Sequence, residues 1–306
     1  MQVVILERNK PVGRKVARLF LATGASVVTI EDPAGVPAVL DGAQVLCADT
    51  FDGDLVAEQT RARPGLRGVL WTAEPLRRSL RYLVETTAVN HVLGRRNFES
   101  PPPAWELTML ARRLQGGPAP PLAGYLDWGF TALELEVRAT ADRDAAAARI
   151  QDFVGALQVP RRVAEMFAEL GHELIMNAMY DAPVDAHGRP RYAADRKANI
   201  VLAEHERPVV RIATDGSRLA LQVRDPFGRL ERRHVFDGLA RGLASGELDE
   251  SHGGAGLGMM VAHNASTAMV FDVAANRHTE VTALFELDMN LREFRTQAKS
   301  LHFWRS

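Results

Sequence analysis

The first third of the chain alternates short apolar runs with helical stretches, and this alternation constrains the fold more than any other feature. The apolar runs are VVIL (3–6), SVVTI (26–30), AQVLCA (43–48), GVLWT (68–72) and HVLG (91–94). Stretches with apolar residues at helical spacing separate them, and AWELTMLARRL (104–114) closes the series. Strands that alternate with helices form a parallel sheet with helices on both faces. The pattern therefore predicts an α/β fold, with a doubly wound parallel (βα)5 domain over residues 1–117.

After a stretch dense in glycine and proline, the chain follows a different pattern. QGGPAPPL (115–122) predicts a linker, which we place at 118–129. Beyond it, strand-like segments with alternating polarity enclose pairs of helices, and Asp215-Gly216-Ser217 predicts a hairpin turn. We expect a two-layer α/β sandwich over 130–290, with helices on one face of a mixed, largely antiparallel sheet. Residues 291–306 read as a basic, solvated tail in which Phe294, Phe303 and Trp304 are the side chains able to dock.

Composition excludes several classes of protein. The chain has 306 residues with 46% hydrophobic and 25% charged residues, and its net charge is −1. Without a charge excess, neither nucleic acid nor an acidic membrane surface is an expected partner. The lone Cys47 forms no internal disulfide and reads as a small buried hydrophobe. No apolar run reaches the roughly 18 residues of a membrane span. We therefore expect a cytoplasmic protein.

Three polar residues follow one another at helical spacing in HELIMNAMYDAP (172–183). Glu173, Asn177 and Asp181 lie one turn apart, at the border of an apolar stripe. An asparagine oxygen is a suitable ligand for Mg²⁺, and a glutamate one turn away is suited to act as a general base. Taken alone, a polar helix edge accounts for the triplet more simply.

An aspartate ends a predicted strand in VRDPFGRL (223–230). Asp225 in this position can accept a hydrogen bond from an exocyclic amino group such as that of adenine. The alternative is an Asp-Pro turn that closes a hairpin.

Four glycines precede a predicted helix in SHGGAGLGMM (251–260). Glycine lets the backbone approach a ligand closely, and a helix N-terminus favours phosphate. The segment is neither a Rossmann fingerprint nor a Walker A loop, because it follows a loop and lacks the closing Lys-Ser or Lys-Thr.

In this order, the three segments resemble the nucleotide-binding domain of the GHKL superfamily of ATPases, over about residues 130–288. The resemblance implies a Bergerat-type ATP-binding fold and a mobile lid over about 231–252. It also implies residue roles: Glu173 as general base, Asn177 on Mg²⁺, Asp225 on the adenine amino group, Thr279 supporting adenine, Gly228 in the turn after Asp225, and Gly254, Gly256, Leu257 and Gly258 at the phosphates. Phe227 departs from the family pattern because it occupies the place of a glycine, where its ring would narrow the adenine pocket or stack on the base. The segment 184–198 reads as an inserted, solvated loop, and the alternative is that its Lys197 reaches phosphate.

The first domain resembles a response-regulator receiver. Asp49 matches the phosphoacceptor position, and Thr72 matches the hydroxyl residue after the fourth strand. Two departures oppose metal-dependent phosphorylation: Arg8 stands where a Mg²⁺-ligating carboxylate belongs, and Arg95 is the nearest cation to the expected lysine. We therefore expect an unphosphorylated receiver-like domain that serves as a docking surface or as the interface of a homodimer.

The two resemblances together imply an ATP-binding signalling protein. The main hypothesis is a Mg²⁺-dependent kinase or ATPase module similar to the anti-sigma-factor serine kinases, acting on a protein partner. The alternative is a non-catalytic, nucleotide-gated scaffold built from degenerate receiver and ATPase modules.

Overall fold

The fold is α/β, as predicted. The computed structural model describes residues 1–244 and 255–306, with the side chains of 255–257 outside the description. The chain divides into two compact units. The first contains Met1–Pro120 and Arg292–His302, and the second contains Pro121–Leu291 and Phe303–Ser306.

The first unit is built on five parallel strands in the order β2-β1-β3-β4-β5. The strands are β1 (Gln2–Leu6), β2 (Ser26–Ile30), β3 (Val45–Asp49), β4 (Arg67–Thr72) and β5 (Val89–Gly94). The helices are α1 (Lys10–Leu21), α2 (Val36–Val39), α3 (Gly53–Ala62), α4 (Leu76–Glu85) and α5 (Ala104–Leu114). Helix α1 contacts α5, and α3 contacts α4. Every residue of β3 is buried, as a central strand covered on both faces requires. The predicted (βα)5 arrangement is confirmed.

The carboxyl-terminal segment is not solvated, and that part of the prediction is wrong. It forms α10 (Leu291–Thr296) and β11 (Ser300–Arg305). In the first unit, Leu301 and His302 pair antiparallel with β5, and Phe294 is buried. In the second unit, the Phe303 ring lies 6.1 Å from that of Phe236. Two of the three aromatic residues expected to dock are thus buried, and apolar burial outweighs the basic charges of the segment.

The second unit contains five strands paired antiparallel in the order β9-β10-β8-β7-β6. The strands are β6 (Thr131–Glu136), β7 (Val209–Thr214), β8 (Arg218–Asp225), β9 (Ala268–Ala274) and β10 (His278–Glu286). The helices are α6 (Asp142–Gly155), α7 (Arg161–Met176), α8 (Arg232–Ala244) and α9 (Ala255–Asn264). Helix α7 packs against α6, α9 and β8, and the Phe167 ring meets that of Phe285 edge-on at 5.9 Å. At the predicted hairpin turn, Gly216 has φ +90°, a conformation that favours glycine.

Within residues 1–244 and 255–306, no helix combines the length and the apolar character needed to cross a bilayer.

Candidate functional site

A cavity of about 360 Å³ lies in the second unit, where β8 ends beside α7 and α9. Apolar side chains make up part of its wall: Leu174, Ala178, Ala182, Val184, Val223, Leu230, Met259 and Val281. Three residues chosen from sequence, Asn177, Asp225 and Thr279, also line it. A mostly apolar wall with a few convergent polar groups is the usual form of a small-molecule site.

Asp225 is the buried acidic group of this cavity. It is the last residue of β8 and is 7% exposed. Its Oδ1 accepts the amide hydrogens of Phe227 at 2.8 Å and Gly228 at 3.3 Å. Burial raises the pKa of the Asp225 carboxyl, while these two amides and Thr279 lower it in part. The backbone of Thr279 also lowers this pKa through hydrogen bonding, and within the described part of the chain no cation pairs with the carboxylate.

Thr279 lies directly opposite Asp225 in the β8–β10 ladder. Its hydroxyl oxygen is buried, and it favours the charged form of Asp225 without reaching a hydrogen bond of normal geometry. The neighbouring strands therefore bring together an acceptor and a hydroxyl at one point of the cavity wall. This is the pair that the sequence predicted for adenine.

Gly228 has a backbone role instead of a place in the cavity lining. It has φ +64°, and a Cβ atom there would lie 2.1 Å from the carbonyl oxygen of Ala274. Its own carbonyl oxygen accepts the amide of Asn276 at 3.3 Å. Phe227 is half-buried but does not line the cavity either. The turn after Asp225 is thus held against the β9–β10 connection.

Asn177 and Asp181 begin and end a single π-helical turn that follows α7. The turn is closed by the amide of Ala182 donating to the carbonyl oxygen of Asn177 at 3.1 Å. Both side chains line the cavity. Arg196 donates to Oδ1 of Asn177 at 3.3 Å and forms an ion pair with Asp181. Because Arg196 belongs to the segment 184–198, that segment is not the freely solvated loop that the sequence suggested.

Glu173 lies beside a different cavity, of about 370 Å³, together with His172, Glu169 and Val261. Residues four apart on an α-helix diverge by about 40° around its axis, so Glu173 and Asn177 need not share a wall. Oε1 of Glu173 is 3.7 Å from Nδ1 of His172. A Cβ atom on Gly258 would lie 2.2 Å from Oε2 of Glu173. The missing side chain at Gly258 therefore allows the carboxylate to approach α9 closely.

The glycine-rich segment is described only in part. Gly256, Leu257 and Gly258 lie in the first half of α9, and the side chain of Leu257 is outside the description. Gly254 and most of the second half of the predicted lid, 245–252, are outside the described residues. The first half of the predicted lid forms α8.

Three basic side chains line the first cavity from exposed positions: Arg229, His234 and Arg241. His234 and Arg241 belong to α8, and Arg229 donates to the carbonyl oxygen of Gly188 at 3.3 Å and to Oδ1 of Asn276 at 3.2 Å. Two further acidic residues, Asp181 and Glu231, line the cavity, and they pair with Arg196 and Arg233. An apolar cavity with a buried carboxylate and a mainly basic rim is suited to a ligand that carries both an amino group and an anionic group.

The receiver-like cleft of the first unit has a different charge arrangement. Arg95, which is 3% exposed, donates to Oε2 of Glu7 at 3.0 Å and to Oδ2 of Asp49 at 2.7 Å. Burial raises the pKa of the Asp49 carboxyl, while the Phe51 amide and Arg95 oppose that shift and Glu7 adds to it. Arg8 pairs separately with Asp52, with 2.6 Å between the closest atoms. The expected phosphoacceptor is therefore neutralised by a guanidinium of the protein itself.

Thr72, the second predicted receiver residue, is buried at the end of β4. Its hydroxyl oxygen accepts from the Thr50 hydroxyl at 3.0 Å and from the Glu74 amide at 2.9 Å. Structure and sequence agree on where Asp49 and Thr72 lie, at the ends of adjacent parallel strands.

No family model matches the chain, and no curated protein matches it. Among solved structures, an atypical orphan response regulator with a phosphorylation-independent regulatory mechanism is 10% identical, and the match covers 37% of this chain and 94% of that one with a TM-score of 0.32. A response regulator receiver domain protein from Clostridium thermocellum is also 10% identical, covering 38% and 94% with a TM-score of 0.32. The SiaB–SiaC complex from Pseudomonas aeruginosa is 16% identical, covering 49% and 88% with a TM-score of 0.29.

All three TM-scores lie below 0.5, so the fold of the first unit is assigned from its own strand order. The strand order 2-1-3-4-5 is that of the flavodoxin-like folds, to which response-regulator receivers belong. The first unit is therefore receiver-like in fold.

Sequence reasoning missed Arg196 and the rim formed by Arg229, His234 and Arg241. Arg196 is 15 residues from Asp181 along the chain. No periodicity connects two such residues, so no sequence signal was available for this contact. His234 and Arg241 lie in the segment predicted as a lid over ATP, and that prediction already indicated that this segment lies near the ligand.

Proposed function

We propose that the second unit binds an adenine nucleotide and that the protein is a nucleotide-gated signalling regulator. The observation that carries the proposal is the buried Asp225 carboxylate beside Thr279, in a mostly apolar cavity whose exposed rim is cationic. Asp225 would accept the exocyclic amino group of adenine, the apolar wall would hold the ring, and the rim would attract the phosphates.

The first unit would act in this scheme as a docking surface. Its cleft carries an internal Glu7–Arg95–Asp49 network, and this supports a receiver-like domain that works without phosphorylation. The surface would bind a protein partner in the same signalling pathway or a second copy of the chain. Nucleotide occupancy of the second unit would then be the signal that the partner reads.

A second candidate function is Mg²⁺-dependent phosphoryl transfer from ATP to a partner or to water. The close approach of the Glu173 carboxylate to Gly258 favours it, because α9 follows the glycine-rich segment proposed to hold the phosphates. Glu173 would then be the general base. Its position beside a cavity other than the one lined by Asn177 favours the gating function over the catalytic one.

Calorimetric titration of the full chain with ATP and with GTP tests the nucleotide proposal. GTP presents a carbonyl oxygen where adenine presents its amino group, and Asp225 cannot donate to it while ionised. We expect ATP to bind at least tenfold more tightly than GTP, which corresponds to about 1.4 kcal/mol. Equal binding of both nucleotides, or no binding of either, would contradict the proposal.

A turnover assay with ATP and Mg²⁺ separates the two candidate functions. If the protein is a kinase or ATPase, Glu173→Ala should abolish phosphate release, while Glu169→Ala in the same cavity should not. If it is a gated regulator, the wild-type chain and both variants should bind ATP without turnover.

A further inference from the structure

Arg196 contacts Asn177, the residue that the GHKL resemblance assigns to Mg²⁺, and Asp181, to which the resemblance gives no role. Its Nη2 atom donates to Oδ1 of Asn177 at 3.3 Å and also pairs with Oδ2 of Asp181. Asn177 and Asp181 are held at the two ends of the π-helical turn. A unit positive charge of the protein is therefore present at the place where a divalent cation was expected.

The residues around Asn177 do not fit a resident Mg²⁺. A metal ion at Oδ1 of Asn177 would have to displace Arg196, and Mg²⁺ gives up its bound water reluctantly. Within residues 1–244 and 255–306, no group of three His, Cys, Asp or Glu side chains is arranged to hold a metal ion. Burial raises the pKa of the Asp181 carboxyl, whereas Arg196 and His234 lower it and Glu173 raises it further. Removing the guanidinium would therefore leave a half-buried carboxylate without its closest counter-charge.

The guanidinium of Arg196 keeps donors available for a ligand. Both of its hydrogen bonds come from one terminal nitrogen, so Nε and Nη1 have no partner within the described residues. The side chain is 24% exposed, and solvent reaches it. Arginine binds phosphate oxygens with two parallel N–H donors, an arrangement that a lysine ammonium cannot reproduce. The segment that carries Arg196 supplies Gly188, Pro190 and Ala193 to the cavity wall. Arg196 itself does not line the cavity but contacts two residues that do, Asn177 and Asp181.

We propose that Arg196 is the built-in counter-cation for the nucleotide phosphates and that the second unit binds ATP without Mg²⁺. The inference deepens the proposed function and rests on it. Arg196 stays on Asn177 and Asp181 and offers its free N–H groups to a phosphate oxygen at the edge of the cavity. Asn177 is then a positioning residue for Arg196.

ATP titrations of the full chain in EDTA and in excess MgCl₂ test this inference. For the wild-type protein we expect the two dissociation constants to agree within threefold. Arg196→Ala should bind ATP at least tenfold more weakly in EDTA and recover part of that loss in MgCl₂, because Asn177 and Asp181 become free to face a metal. Lys197→Ala, an exposed neighbour with the same charge, is the matched control and should behave as wild type.

The outcomes distinguish this inference from the proposed function. Wild-type binding that strengthens tenfold or more with MgCl₂, or an Arg196→Ala variant that binds ATP in EDTA as tightly as wild type, overturns the role of Arg196 alone. No binding in either buffer overturns the proposed function and this inference together. If Arg196→Ala does not fold, the wild-type comparison in the two buffers still decides, and Arg196→Lys should lose affinity in EDTA because it keeps the charge but not the paired donors.

Discussion

Each of the two units places acidic side chains where secondary-structure elements end, but the units neutralise them differently. In the first unit, Arg95 contacts both Glu7 and Asp49 and is only 3% exposed. In the second unit, Asp225 accepts hydrogen bonds from backbone amides, among them those of Phe227 and Gly228, and no described cation pairs with it. Arg196, which pairs with Asp181 in the second unit, is far more exposed than Arg95 and lies on a segment between helices and strands.

In the first unit the acidic side chains are neutralised by Arg95 of the protein itself, whereas in the second unit Asp225 has no described cationic partner. A buried guanidinium cannot leave two buried carboxylates without a large desolvation penalty, so Glu7 and Asp49 already have their counter-charge in the first unit. A buried carboxylate that faces an open cavity gains a partner only when a donor enters. This difference supports the proposal that the second unit binds the ligand and that the charged residues in the cleft of the first unit have a structural role.

The largest expected effect follows from removing the closed network. Arg95→Ala leaves Glu7 and Asp49 buried and unpaired, so we expect it to destabilise the protein by about 3–5 kcal/mol. Lys10→Ala is the control, because the Lys10–Glu31 pair is exposed on both sides and should contribute no more than about 1 kcal/mol. Urea denaturation of each variant measures the difference. Equal, small losses for the two variants would show that the Arg95 network is not what closes the cleft.

A glycine substitution tests whether the turn after Asp225 depends on backbone contacts. In Gly228→Ala, the new Cβ meets the Ala274 carbonyl oxygen at a residue with positive φ. We expect a loss of at least about 2 kcal/mol, whereas Gly216→Ala, with positive φ but open space around it, should cost about 1 kcal/mol. Denaturation midpoints give both values. Equal costs would mean that Gly228 is needed only for its φ, and that the turn is not held by β9–β10.

The third prediction concerns the ligand side of the comparison. Asp225→Asn keeps an oxygen for the Phe227 and Gly228 amides but removes the charge. We expect ATP affinity to fall about tenfold, because a neutral hydrogen bond to adenine replaces a charge-assisted one. The stability of the protein should change little. Asp215→Asn is the matched control, because Asp215 accepts turn amides in the same way at the β7–β8 hairpin, outside the cavity. Calorimetric titration of wild type, Asp225→Asn and Asp215→Asn with ATP gives the comparison. Unchanged affinity in Asp225→Asn would show that adenine does not bind at Asp225.

The smallest expected effect is the pH dependence of that binding. The pKa of Asp225 is raised by burial, and a donor that binds the carboxylate favours its charged form. ATP affinity should therefore be full above the raised pKa and decline as pH falls through it. Asp225→Asn should lack this decline. Titration of the nucleotide affects both proteins equally, so it cancels when the two pH profiles are subtracted. Parallel pH profiles for wild type and Asp225→Asn would show that the carboxylate does not face the ligand.

Much of the fold was readable from sequence because it depends on local periodicity. The strands of the first unit carry continuous apolar runs, and their ends locate Asp49 and Thr72 without any long-range information. Asp225 was selected because it ends a predicted strand, whereas Thr279 was named only through the GHKL resemblance. The placement of Glu173 was harder, because i and i+4 spacing fixes a face of a helix but not which of two cavities that face meets.

The features that escaped prediction depend on distant or irregular contacts. The π-helical turn at Asn177–Asp181 has no periodic signature, since a single i+5 bond leaves no repeat in the sequence. The contacts of Arg95 with Asp49 and of Arg196 with Asp181 join residues that only the fold brings together. The aromatic residues of 291–306 were recognised as able to dock, but the strand β11 was missed because the basic residues around it indicated a solvated end.

A titration of the isotope-labelled full chain with ATP, followed by amide chemical shifts, tests the comparison most directly. The amide of Phe227 donates to Asp225, and the amides of Phe51 and Glu74 donate to Asp49 and Thr72. We predict that ATP shifts the Phe227, Gly228 and Thr279 amides and leaves those of Phe51 and Glu74 unchanged. Shifts at Phe51 and Glu74 with none at Phe227 would place the nucleotide in the receiver-like cleft and contradict the account.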